Sequence, residues 1–523
     1  MCTHSNDGGG TTDPRLVHIP AQDHAPSSMR PIFFPPESYP RYVGSERGGV
    51  PAYAPNGHQS AFESIGHIPQ VAHTFSYMEE TYGAMNEHQV AVGESTCSGV
   101  FGTSAAGHGG KALMSVDTLS QLAMERANTS RSAVKIMGAL AEQFGFYGEG
   151  TFEGSAESLM VTDKTEGFIF HILPDESGES AIWVAQRVPD TDVGVVANAF
   201  VIREVNFSDS FNFLGSTSVH ETAQRKGWWD PADGLLDFTQ IYSDGEYAHK
   251  YYSGRRVWGA YLLMAPSLQL SPTYDEWRKS KPYPVTLAPD EKISVAALMH
   301  VMRSYYEGTP YDLTKGLAAG PFATPDHVAG GSATGEVKGN WERSIGLFRT
   351  SDSHVAQSRA WLPDSVGGIL WWGPHAAPYT MYVPFAAGMT SLPDVTLGTP
   401  AALERTSLYW GVRYLFNYAQ LRRNAMIEHI NELQAAAHNT SLSLQARLDR
   451  SGTITAAELT AVYSANAISV RDEIFSLADS LFFRYSDGYI NEVGSDGVLA
   501  SKGGSYPDEW LRAVNYTNGP PPI

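Results

Sequence analysis

The chain has 523 residues, 42% of them hydrophobic and 18% charged, which suits a large globular core and excludes a disordered chain. Thirty-six Lys+Arg against 56 Asp+Glu leave a formal net charge of −20 and a pI near 5.2, so nucleic acid and anionic membrane surfaces are poor partners. Only Cys2 and Cys97 carry thiols, which excludes a disulfide scaffold and a Cys-rich zinc module.

From Met1 to about Gly99 the chain is rich in Gly, Pro, Tyr and His, and its short apolar runs predict short strands between long loops. Two helices follow. The first, from Ser115 to Ala127, carries Val116, Leu119, Leu122 and Ala123 on one side. The second is capped by Ser130, carries Val134, Met137, Ala141 and Phe144 as a stripe, and stops at Gly145. The apolar runs at 168–173, 182–186 and 193–200, separated by turn residues, predict an antiparallel meander. Residues 230–400 alternate short apolar runs with Pro and Gly. Beyond Pro400, helical spacing from Leu408 through Val412, Leu415 and Ala419 to Leu433 predicts one helix of some eight turns, and a second helix runs from Ala456 to about Phe482. The expected organisation is an α+β body over residues 1–400, a C-terminal helical hairpin over 401–485 and a tail over 486–523.

The longest uncharged stretch, Ser365 to Pro393, is broken by Pro374, Pro378 and Pro384, so it falls short of the roughly 20 continuous apolar residues of a membrane helix. The N-terminal residues lack the apolar run of a secretory signal, which leaves the cytoplasm as the default compartment and the four Asn-x-Ser/Thr sequons without weight. No Gly-x-Ser-x-Gly, His-Glu-x-x-His, P-loop or Cys-x-x-Cys motif occurs. The 17 histidines show no metal-ligand spacing. The segment Asp449 to Glu458 imitates the later part of a calcium loop, but Arg447 would stand at the first ligand position, so a corner with a Ser or Thr cap is the better reading. Cys2 would become an N-terminal cysteine if Met1 were removed, and its α-amine could then act as base for its own thiol.

Several ordered segments resemble one family. They are Asn86-Glu87-His88 with Gly93-Glu94-Ser95-Thr96, Trp183 to Asp190, Ala197-Asn198-Ala199-Phe200 through Glu204, Tyr306 to Asp312, Gly368 to Pro374, and Tyr382 to Gly388. This pattern resembles the C69 dipeptidases and the related secernins, within the N-terminal nucleophile hydrolases. The resemblance implies an αββα sandwich and hydrolysis of dipeptides or short peptides by acyl transfer through an N-terminal cysteine, with no cofactor required. Carried over residue by residue, it implies Cys2 as nucleophile, Asp7 orienting the nucleophile's amine, Thr96 and Asn198 at the oxyanion, and Arg255 (in preference to Arg256) near the nucleophile. Cys97, beside the oxyanion strand, is expected to be a small buried residue.

The resemblance breaks at the start. Relatives place a first apolar strand and a turn between the cysteine and the aspartate, and here His4 to Gly8 resembles the end of the second strand. Five residues span at most about 18 Å, too short for a hairpin that brings Cys2 and Asp7 together. The sequence therefore reads as lacking the family's first strand. That would leave an open slot in a central sheet and favour poor solubility or self-association into a homo-oligomer. Two alternatives to an active dipeptidase follow: a secernin-like non-catalytic interaction protein, and an amide hydrolase acting on non-peptide acyl amides.

Overall fold

The computed structural model describes residues 1–34, 38–41, 64–148, 154–246, 250–273, 283–327, 332–451 and 454–519. The protein is α+β, built on two antiparallel sheets. The small sheet contains β1 (Cys2–Asp7), β10 (Thr350–Gln357), β11 (Ile369–Pro374) and β12 (Val383–Ala386), in the order β1-β10-β11-β12. The large sheet runs in sequence order through eight strands: β2 (Val17–Ile19), β3 (Tyr77–Glu79), β4 (Gly83–Asn86), β5 (Ala91–Cys97), β6 (Ala156–Thr162), β7 (Gly167–Pro174), β8 (Ala181–Val188) and β9 (Phe213–Gly215). The meander β6–β8 is the most regular part, each strand alternating its side chains between two buried faces.

On one face of the large sheet lie α1 (Val116–Arg126) and α2 (Ser130–Phe144). Leu119, Leu122, Val134 and Met137 pack there against Leu159, Phe168, Phe170 and Trp183 in one apolar cluster. The second helix starts one residue earlier than its sequence suggests. Thr129 makes a reciprocal capping box with Ser132, and Ser130 instead donates to Asp163. Gly145, at φ +74°, ends that helix.

The small sheet is backed by α5 (Leu408–Ala419), α6 (Arg423–Asp449) and α7 (Ala456–Arg484), whose Leu408, Val412, Leu415, Ile430, Ile474 and Leu481 share a core with Trp371, Val383 and Phe385. The single eight-turn helix expected from the spacing is broken at Gln420–Arg422. The Tyr379 hydroxyl accepts from both Gln420 and Arg423 at 3.0 Å and pins the corner. Thr455 caps α7 through a capping box with Glu458, while Gly452 and Thr453 of the calcium-like segment lie outside the described residues.

Among the described residues β1 is an edge strand, paired with β10, with His4 opposite His354 and Asn6 opposite Asp352. It crosses the large sheet at Gly93 of β5. A Cβ there would stand 2.6 Å from the Thr3 carbonyl oxygen, so only glycine lets the two sheets approach this closely. Two further helices border this region, α3 (Arg255–Met264) and α4 (Val295–Met302), and Thr3 donates to Met302 Sδ at 3.1 Å. Among the described residues, no helix is long and apolar enough to cross a membrane.

Candidate active site

A cavity of about 1750 Å³ runs along β1 and is lined by both of its ends. Alternation along the strand sends Cys2, His4 and Asn6 to the buried face and Thr3, Ser5 and Asp7 to the other, so the two ends present different chemistry.

At the Asp7 end, three arginines surround one carboxylate. Arg343 pairs with Asp7 Oδ2, Thr350 donates to Oδ1 at 2.6 Å, and Arg349 donates to the Asp7 carbonyl at 2.7 Å. Burial alone would raise the Asp7 pKa; Arg343, Thr350, Arg349 and Arg256 overcome it and hold the carboxyl below the usual carboxylate range. Asn198 stands beside this group in the left-handed region, at φ +51°. It is held from several sides. Its backbone N–H donates to Ser95 Oγ at 2.8 Å, its side-chain Nδ2 donates to the Thr96 carbonyl at 2.8 Å, and its Oδ1 accepts from Arg256 Nη2 at 2.8 Å. One Nδ2 hydrogen satisfies Thr96, which leaves the second to donate to a ligand. The Thr96 hydroxyl is turned to Glu94 Oε1 at 2.9 Å.

Of the residues expected to act together, the fold gathers Asp7, Thr96 and Asn198 around Arg256. Arg255 goes elsewhere. It is buried, pairs with Glu342, donates to the Pro272 carbonyl at 2.6 Å and lies 3.5 Å from the centre of the Tyr311 ring, outside the cavity lining. Arg256 takes the place expected of Arg255, because adjacent residues on a helix point about 100° apart. The irregular turn Lys250–Gly254 ahead of α3 sets which of the two faces the cavity. Arg343, Arg349 and Thr350 escaped the sequence reading, since no local spacing links them to Asp7. Cys97 is buried, and burial beside Glu246 pushes its thiol well up.

Cys2 lies at the other end of β1, five residues or about 17 Å from Asp7 and on the opposite face. Its surroundings form a second polar group. His354 Nδ1 meets Glu80 Oε2 at 2.9 Å, His4 Nδ1 lies 3.8 Å from the same oxygen, and His4 Nε2 lies 3.4 Å from Glu94 Oε2. His4, Glu80 and His354 are each at most 4% exposed. Burial disfavours the His4 imidazolium, but Glu80 and Glu94 outweigh it and raise its pKa to about 9. Burial would likewise raise the Cys2 thiol, but the His354 imidazole beside it brings it below its ordinary value. Cys2 is the one thiol lining the cavity among the described residues.

The sequence model of peptidase family C69 matches residues 69–436. The chain is similar to a probable dipeptidase of Salmonella dublin, 28% identical over 323 residues that cover 61% of this chain and 66% of that protein. It is 26% identical to a probable dipeptidase of Latilactobacillus sakei over 56% of this chain and 54% of the relative. A dipeptidase of Bifidobacterium longum is 23% identical over 407 residues, 74% of this chain and 68% of the relative. The chain thus spans less than two thirds of the length of the first two relatives.

Proposed function

Because the chain belongs to peptidase family C69, we propose that it is a dipeptidase that holds its substrate at the Asp7 end of the cavity. The observation that carries this reading is the constellation of Asp7, Asn198 and Arg256 opening on one cavity, in a chain similar to dipeptidases. The order of layers, helices on the large sheet and helices on the small one, supports the αββα sandwich of the N-terminal nucleophile hydrolases.

In this reading water adds to the scissile carbonyl carbon and its proton passes to the departing amine, while the second Asn198 amide hydrogen donates to the carbonyl oxygen as it gains negative charge in the tetrahedral intermediate. Arg256 holds the Asn198 amide in orientation and adds positive charge nearby. Three guanidinium groups against one carboxylate favour a ligand that carries a carboxylate of its own, as a dipeptide does. Asp7 serves to orient an amine. Cys2, about 17 Å along the strand, does not reach a carbonyl held at Asn198. That separation favours a second reading, a non-catalytic peptide-binding protein of the same fold, because Cys2 is the one cavity-lining thiol among the described residues.

The test is hydrolysis and binding of a dipeptide panel by the full chain beside Asn198→Ala, Arg256→Ala and Cys2→Ala. Turnover lost in the first two variants and kept in Cys2→Ala supports the dipeptidase with its centre at Asn198. Turnover lost in Cys2→Ala moves the centre to the other end of β1. Binding without turnover selects the non-catalytic reading, and neither binding nor turnover overturns both.

A further inference from the structure

The second polar group holds chemistry that the peptidase reading does not use. His4 on β1, His354 on β10 and Glu80 in the turn between β3 and β4 each offer one donor atom, and these three atoms lie within 4.8 Å of one another. All three side chains are buried, and the group is short of hydrogen bonds. Among the described residues, neither nitrogen of His4 has a hydrogen-bond partner, nor do His354 Nε2, Glu80 Oε1 or the nearby Asp352 Oδ1. Of the three donor atoms, His354 Nδ1 and Glu80 Oε2 meet each other at 2.9 Å and His4 Nδ1 is left unpaired; buried polar atoms in folded proteins are nearly always paired, so this nitrogen, facing a carboxylate and a second imidazole, calls for a ligand that accepts lone pairs.

We propose that His4, Glu80 and His354 form a zinc site. Two imidazoles and one carboxylate match the borderline character of Zn²⁺, whereas Ca²⁺ and Mg²⁺ favour all-oxygen sets. A tetrahedral ion with bonds of about 2.0–2.1 Å sets its donors roughly 3.3 Å apart. The 2.9 Å and 3.8 Å separations from Glu80 Oε2 to His354 Nδ1 and His4 Nδ1 straddle that value, so rotamer adjustment of a few tenths of an ångström seats the ion. The outer shell is also present. With Nδ1 on the metal, His4 points Nε2 at Glu94 Oε2, 3.4 Å away, the carboxylate–histidine–metal arrangement that orients a ligand imidazole. Asp352, two residues from His354 on the same face of β10, and Cys2, which borders the His354 ring, flank the three donors. His4 and Glu94 line the large cavity, which provides the entry path. The donors come from both sheets, so the ion would tie β1 and β10 to the β3–β4 turn.

The experiment strips the full chain with a chelator, then titrates it with Zn²⁺ against a chromophoric competitor and with Co²⁺ followed by visible absorption. The expected result is one tight equivalent of Zn²⁺ and the intense absorption of tetrahedral Co²⁺ in the wild type. His4→Ala and His354→Ala lose the site, and Glu94→Gln, which removes only the outer partner, weakens it by about 10–100-fold. His73→Ala, an exposed histidine outside the group, retains it. If a histidine variant does not fold by circular dichroism, Glu80→Gln, which keeps the side-chain shape, must show the same loss. No tight equivalent in the folded wild type, or binding that survives Glu80→Gln and Glu94→Gln unchanged, overturns the proposal. Neither arm reads peptidase activity, so the outcome is separate from the fate of the dipeptidase reading.

Discussion

The two ends of β1 make opposite use of buried charge. At Asp7 both carboxylate oxygens have protein partners, the surplus is one of positive charge, and the open groups are donors: the second Asn198 amide hydrogen and Arg343 Nε. At His4 the charges are sheathed by protein, yet both His4 nitrogens, His354 Nε2 and Glu80 Oε1 lack a hydrogen-bond partner among the described residues. A paired carboxylate amid excess positive charge attracts a ligand by long-range electrostatics and spare donors, while buried unpaired acceptors demand a partner at bonding distance. The same six-residue strand thus presents one end suited to a diffusible anion and another suited to a bound cation.

The sharpest break of this comparison is Asn198→Ala. If Asn198 supplies the oxyanion donor as proposed, its loss should lower kcat for dipeptide hydrolysis by about 10²–10³-fold, with a stability cost of about 1–3 kcal/mol from alanine at positive φ, read by steady-state kinetics and a melting curve. Next comes Glu80→Gln, which strands two buried imidazoles without their carboxylate. It should destabilise the chain by about 3–5 kcal/mol in urea denaturation, and a cost under about 1 kcal/mol would mean that the His4 end is well hydrated. Gly93→Ala acts between the two ends by pushing β5 from β1, and should cost about 1–3 kcal/mol while weakening both centres together. The smallest effect is the pH response of Asp7. Its folded pKa lies below the unfolded value of about 3.9, so its contribution is present above that value and fades as pH falls through the lower folded one. The stability difference between wild type and Asp7→Asn should therefore shrink below pH ~4 and stay flat above it.

In the large sheet, hydrophobic runs bounded by turn residues made β7 and β8 readable and Gly145 marked the end of α2, but the run at 193–200 expected as the third strand of the meander gives only the two-residue strand Val193–Gly194 outside that sheet, and β6 takes its place. The family segments fall on β4, β5, β8, β11, β12 and the loops at 306–312 and around Asn198; Thr96 and Asn198 come from these and Asp7 from β1, and the fold brings the three to one end of the cavity. What failed did so for lack of phase or of range. The choice of Arg255 needed the rotation of α3, which an irregular turn sets. The helix break at 420–422 depends on Tyr379, some forty residues upstream. His4 and His354 meet only because β1 and β10 pair across 350 residues, so no spacing rule could find them.

Asn198 is under two demands at once. Its positive φ tolerates glycine, asparagine and aspartate far better than other residues. Its amide must both donate to Thr96 and accept from Arg256, which glycine cannot do and aspartate does only in part. The two alphabets of acceptable residues, one written by the backbone and one by the side chain, overlap at a single letter. A position of that kind has almost no room to drift, and Asn198→Gly against Asn198→Asp would separate what the main chain requires there from what the chemistry requires.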